Sequence, residues 1–120
     1  MKVLLADDSQ FMRTIVKGML AKAFPNTEFI EAGTGTLAVS LWREQKPDLL
    51  LLDLIMPEKG GIDVLKDIKP SGGVAKVIIV SALGQDKIMD EAKGLGASAF
   101  IVKPFDEKKV IETVKKTLGL

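Results

Sequence analysis

Four consecutive leucines, Leu49 to Leu52, follow the turn-forming pair Pro47-Asp48 and run straight into Asp53. A run this short, apolar at every position, fits a strand covered on both faces rather than one with a wet side. Strands of that kind belong to parallel sheets packed between helices, so this stretch restricts the chain to α/β architectures. Its last residue is the second constraint. A buried carboxylate is costly unless it is paired, hydrogen-bonded, metal-bound or at the solvent lip of the sheet. The ordinary alternative is an aspartate that only turns the chain after the strand.

The rest of the chain repeats the pattern. Val3 to Ala6 reads as a first strand, and Ser9 as the N-cap of a helix in which Phe11, Ile15 and Met19 recur beside Met12, Val16 and Leu20. Pro25-Asn26 closes that helix. Glu28 to Ala32 is a more polar strand, expected at an edge, and Thr36 to Gln45 a helix with Leu37, Leu41 and Trp42 on one side. After the leucine strand, a short helix to Ile68 uses Ile62, Leu65 and Ile68, and Pro70-Ser71-Gly72-Gly73 ends it. Val77 to Val80 is a fourth strand, and Gln85 to Leu95 a helix presenting Ile88, Met89 and Ala92. Ala99 to Val102 is a fifth strand. Asp106 to Leu118 closes the domain on Val110, Ile111, Val114 and Leu118, with Lys108, Lys109, Glu112, Lys115 and Lys116 facing water. The repeats predict one α/β domain over residues 1–120, a five-stranded parallel sheet with helices on both faces, no linker and no output domain.

Composition narrows the chemistry. The 120 residues include no cysteine and no histidine, which removes the commonest zinc, copper and haem ligands and the usual general base. Any metal should be a hard cation held by oxygen. Seventeen basic against sixteen acidic residues give a net charge of +1, which argues against a nucleic-acid binder. No run approaches the length of a membrane span, and the four apolar residues before Asp7-Asp8 are too few for a signal peptide. A cytoplasmic protein without membrane contacts is expected.

In open α/β sheets, ligands bind beyond the carboxyl ends of the strands. There the sequence places Asp7-Asp8 after the first strand, Asp53 after the third, Ser81 at the end of the fourth and Lys103-Pro104 after the fifth. Each has an ordinary reading alone: a helix cap, a turn residue, a surface lysine. Together they suit phosphoryl chemistry. Carboxylates with a backbone carbonyl can hold Mg²⁺, one acid is left as nucleophile, and a lysine and a hydroxyl can neutralise charge on the phosphoryl oxygens.

On these residues the whole chain resembles a response-regulator receiver domain, with a flavodoxin-like (CheY-like) sheet of strand order 2-1-3-4-5. The acidic pair matches Asp7 and Asp8, the phosphoacceptor before Met-Pro matches Asp53, the hydroxyl residue Ser81, the Lys-Pro pair Lys103-Pro104, and the aromatic switch position Phe100. The resemblance implies Mg²⁺- or Mn²⁺-dependent self-phosphorylation from a histidine kinase or a small phosphodonor. It assigns cation binding to Asp8, Asp53 and the Ile55 carbonyl, with Asp7 acting mostly through water. Lys103 would contact the phosphoryl oxygens, as would the backbone at Leu54 and Ala82; Ser81 and Phe100 would move on phosphorylation. Within the family, residues 7–13 and 81–85 most resemble the single-domain chemotaxis regulators. That implies a CheA-like sensor kinase, a flagellar motor switch protein, a phosphatase and a monomeric chain that is a signalling domain rather than a turnover enzyme. The partner-reading face would include Lys87, Asp90, Phe100, Lys108 and Lys109.

Some positions depart from the commonest pattern. Phe100 lacks a phenol hydroxyl, Ser81 stands for the more frequent threonine, and Trp42 lies away from the phosphoacceptor, beside which Leu54 stands. Ile55 and Leu83 are apolar at positions where, by the resemblance, side chains influence water access to an acyl phosphate. Three rival readings remain. Gly33 to Ala38 forms a G-x-G-x-x-A segment after a strand, which imitates a dinucleotide fingerprint. The chain could also be a receiver-like module that is never phosphorylated, or a hydrolase working through an aspartyl phosphate.

Overall fold

The computed structural model describes residues 1–70 and 75–120. Strands and helices alternate along the chain: β1 (Lys2–Ala6), α1 (Gln10–Ala23), β2 (Glu28–Ala32), α2 (Gly35–Gln45), β3 (Leu49–Leu52), α3 (Gly61–Ile68), β4 (Lys76–Ser81), α4 (Asp86–Gly94), β5 (Ala99–Val102) and α5 (Glu107–Leu118). Of the turn expected at Pro70 to Gly73, residues 71–73 lie outside the described residues. The strands form one parallel sheet in the order β2-β1-β3-β4-β5. This is the flavodoxin-like arrangement, and its strand order reverses between β1 and β3.

Side-chain alternation sorts the strand residues onto two faces. Leu4, Leu50, Leu52, Val77 and Ile79 pack with Ala38 and Val39 of α2, Val64 and Leu65 of α3, and Ala92 of α4. Val3, Leu5, Leu49, Leu51, Ile78, Val80 and Ile101 pack with Val16 and Leu20 of α1 and Val110 and Val114 of α5. The central strand β3 therefore needs apolar groups on both sides, and all four of its leucines are buried. Each contributes about 1.5–3 kcal/mol by leaving water. The polar strand β2 lies at an edge, as its composition predicts.

The helices begin and end on local chemistry. Ser9 Oγ accepts from Met12 N–H at 3.1 Å, Thr34 Oγ1 from Leu37 N–H at 3.1 Å, and Asp106 Oδ1 from Lys109 N–H at 2.8 Å. Each cap satisfies an N–H that the first helical turn leaves without a partner. Asn26, Lys46 and Gly119 take left-handed backbone just past the ends of α1, α2 and α5.

Two helical faces differ from expectation. Phe11 is 73% exposed, so α1 packs through Met12, Val16, Met19 and Leu20, and the 11/15/19 row lies toward its margin. In α2, Leu37 is exposed and Ala38 and Val39 are buried instead, with Leu41 and Trp42 at the edge of the core. In α1 the expected row Met12, Val16 and Leu20 packs inward and Phe11 does not; in α2 the stripe is rotated from Leu37 toward Ala38 and Val39, about 100° per residue. Among the described residues no helix is long and apolar enough to cross a membrane.

Candidate functional site

Asp7, Asp53 and Lys103 each continue the strand positions that face α1 and α5: Val3 and Leu5 lead to Asp7, Leu49 and Leu51 to Asp53, and Ile101 to Lys103. The β1–β3 register pairs Ala6 with Leu52, so the next step sets Asp7 beside Asp53. The ladder still holds both: Asp53 N–H donates to the Ala6 carbonyl at 2.9 Å, and Asp7 N–H to the Ala32 carbonyl at 3.1 Å. Lys103 arrives from beyond β4, its N–H on the Ser81 carbonyl at 2.9 Å. The peptide bond that follows it, to Pro104, is cis.

The Lys103 ammonium bridges the two acids, with Nζ 2.9 Å from Asp7 Oδ2 and 2.8 Å from Asp53 Oδ2. Each carboxylate offers its other oxygen to backbone: Asp7 Oδ1 accepts from Ser9 N–H at 2.9 Å and Asp53 Oδ1 from Ile55 N–H at 3.1 Å. These contacts answer the cost of burying Asp53, which is 6% exposed. Removing one partner of such a pair costs about 3–5 kcal/mol, because the other charge stays buried alone. Burial pulls the Lys103 pKa down, but hydrogen bonds to Asp53 and Asp7, with their charges, outweigh it and hold the ammonium above its ordinary range.

Asp8 completes the group. It is exposed, no hydrogen bond or ion pair among the described residues engages its carboxylate, and one oxygen from each of Asp7, Asp8 and Asp53 lies within 4.8 Å of the others. Three carboxylates against one ammonium leave excess negative charge, and every donor is a hard oxygen. That set fits Mg²⁺ or Mn²⁺ and suits neither copper nor structural zinc.

The remaining expected residues lie on β4, β5, α4, α5 and the loops after β3 and β4. Ser81 is fully buried and its Oγ accepts from Leu83 N–H at 3.3 Å, on the strand face opposite to Asp7 and Asp53 by alternation. Phe100 is half-buried against the α2–α3–α4 side of the core, as is Leu83. Leu54 is buried and Ala82 exposed, and among the described residues no hydrogen bond occupies either backbone N–H. Ile55 points outward, 55% exposed. Lys87, Asp90, Lys108 and Lys109 are exposed on α4 and α5, with Lys108 3.9 Å from Glu112.

Two contributors escaped the sequence reading. Arg13 donates through Nε to Glu31 Oε1 at 2.9 Å and through Nη1 to the Asp7 carbonyl. Its only sequence signal is a position one turn beyond the Ser9 cap. Gly35 lies against the β3–α3 loop: its N–H donates to the Pro57 carbonyl at 3.3 Å, and a Cβ there would sit 1.8 Å from the Lys59 carbonyl oxygen. That contact accounts for the second glycine of the G-x-G-x-x-A segment, so the match to a dinucleotide fingerprint reflects loop packing.

The chain belongs to the response regulator receiver domain family, whose pattern matches residues 3–115. It is 42% identical over 119 residues to chemotaxis protein CheY of Bacillus subtilis (strain 168), covering 98% of both chains. Protein CcdB of the same organism is also 42% identical, over 121 residues and 98% of both chains. Among solved structures, the CheX-CheY-BeF3-Mg+2 complex from Borrelia burgdorferi superposes with a TM-score of 0.88 at 32% identity, covering 96% of this chain and 87% of that one.

Proposed function

We propose that this receiver takes a phosphoryl group onto Asp53 from the phosphohistidine of a sensor kinase, and that phosphorylation changes the face made by α4, β5 and α5. The observation that carries the reading is the junction of Asp53, Asp7, Asp8 and Lys103 within hydrogen-bond and ligand reach. An Asp53 carboxylate oxygen attacks phosphorus, the P–O bond forms as the P–N bond to histidine breaks, and the imidazole leaves with a proton. Asp7, Asp8, Asp53 and the Ile55 carbonyl would hold Mg²⁺ or Mn²⁺, which supplies charge neutralisation at the phosphoryl oxygens. Lys103 shifts from its acids toward those oxygens, and the Leu54 and Ala82 N–H groups donate to them. Ser81 turns toward the phosphoryl group, and Phe100 repacks where its side chain vacates space. The chain acts as a cytoplasmic, monomeric signalling domain rather than a turnover enzyme.

Mass spectrometry after incubation with acetyl phosphate and Mg²⁺ tests the proposal. Wild type gains one phosphoryl group and Asp53→Asn none; an unmodified wild type, or equal modification of both, overturns it. The pathway we assign is chemotaxis, with a CheA-like kinase, a flagellar motor switch protein as target and a phosphatase to reset it. Support comes from the CheY relative and from the Borrelia complex, which joins CheY to CheX, BeF3 and magnesium. Because CcdB is equally similar and its name does not mention chemotaxis, a phosphorelay outside chemotaxis is the second reading. A pull-down of phosphorylated protein against the motor switch protein separates them: retention supports chemotaxis, and its absence favours the other relay.

A further inference from the structure

We infer that Arg13 is a positioning residue for the cation-binding loop, acting through the peptide that joins Asp7 to Asp8 and itself oriented by Glu31. The inference rests on reading Asp7, Asp8 and Asp53 as the cation site. Every polar group of Asp7 is engaged. Its N–H bonds the Ala32 carbonyl, its carboxylate takes Ser9 N–H and Lys103, and its carbonyl takes Arg13 Nη1. Asp8 has no such contacts of its own among the described residues. Its place is set by the two peptides that flank it, the one to Ser9, whose N–H is held by Asp7 Oδ1, and the planar one it shares with Asp7, so fixing the Asp7 carbonyl fixes one of the two planes from which Asp8 projects.

Arg13 has the right chemistry for the task. Its side chain is only 15% exposed, and its fork divides between two acceptors, Glu31 Oε1 on the edge strand β2 and the Asp7 carbonyl. Glu31 is held in turn by Lys17, whose Nζ lies 3.8 Å from Oε2. A lysine at position 13 would keep the charge and lose the fork. The contact thus ties the acidic loop to α1 and β2, away from the atoms that would meet a cation.

Charge and position make opposite predictions, and binding measurements can separate them. Arg13 is a cation bonded to the loop that carries Asp7 and Asp8, so if it acted by charge alone its removal would tighten Mg²⁺ binding. If it positions Asp8, its removal weakens binding. Outer-shell partners of metal ligands typically change affinity by about 10–100-fold.

Isothermal titration calorimetry with Mg²⁺ on the full chain decides the matter, with folding of each variant followed by circular dichroism. Arg13→Met should weaken Mg²⁺ binding by about tenfold. Arg13→Lys should recover little of that loss. Glu31→Gln, which touches neither the loop nor the acids, should weaken binding less and add nothing in the Arg13→Met background. Unchanged or tighter binding by Arg13→Met, or full recovery by Arg13→Lys, overturns the inference. Should Arg13→Met not fold, Arg13→Lys carries the test, and wild-type affinity there overturns it. A wild type that binds no Mg²⁺ would instead remove the cation site itself, and Arg13's role with it.

Discussion

Asp53 is tolerable at the end of an apolar strand because Lys103 and the Ile55 N–H leave neither of its oxygens alone. Its immediate surroundings bear on how long a phosphoryl group would last. Ile55 is exposed beside it and Leu83 lies half-buried at the end of β4, and neither can orient an attacking water. Phosphorylated wild type should therefore lose its label more slowly than Ile55→Asn, followed by phosphate release; faster decay of wild type would contradict this. A second residue-scale prediction concerns Asp67, whose carboxylate takes a hydrogen bond from Lys59 and feels its charge, against a smaller opposing effect of burial. Its pKa is held below the ordinary aspartate range. The pairing thus adds stability above that range and loses it as the pH falls through the depressed value. Carboxyl NMR should place the Asp67 midpoint below that of an unpaired aspartate, and Lys59→Met should return it toward the ordinary range. Because both side chains are about a third exposed, solvent screens the pair and little change in overall stability should accompany it.

At the scale of the element, β3 and α1 offer contrasting tests. Leu50 is fully buried in the centre of the sheet, so Leu50→Ala should cost about 2–5 kcal/mol in urea unfolding. Gly18 is exposed inside α1 and a Cβ there would meet nothing within 4 Å, so Gly18→Ala should stabilise by up to about 1 kcal/mol. The strands were legible because a buried strand needs apolar residues at every position and an edge strand does not. Leu49 to Leu52 and Glu28 to Ala32 carry that difference openly. The helical faces were less legible. In α1, two adjacent rows were both apolar at the spacing of a helix, and only the surface of the sheet decides that Val16 and Leu20 go in and Phe11 stays out. In α2 the residues that go in are Ala38 and Val39, beside the small Gly35 pressed on the Lys59 carbonyl. Small residues mark close approach of backbones, a signal that a search for large apolar groups passes over.

At the scale of the molecule, the meeting of strand ends followed from parallel topology, while the strand order came with the resemblance to receiver domains. Asp7, Asp53 and Lys103 could thus be placed together from positions 46 and 50 residues apart. What the sequence did not disclose is the support behind them. Arg13 looked like one charge among seventeen, since nothing local says that its partner is a carbonyl six residues back or a glutamate on a neighbouring strand. Such partners are set by tertiary approach, which has no period to read.

The bridge from Lys103 to Asp7 spans 96 positions of the chain. During synthesis the two leading acids and Asp53 leave the ribosome long before the lysine that pairs them, and β5 must dock before the ammonium reaches them. A nascent or half-unfolded chain thus presents a cluster of bare, mutually repelling carboxylates, unattractive to hydrophobic collapse and poorly equipped to accept a phosphoryl group. Competence to signal would arrive only with the finished sheet, so an immature molecule would not report on the pathway.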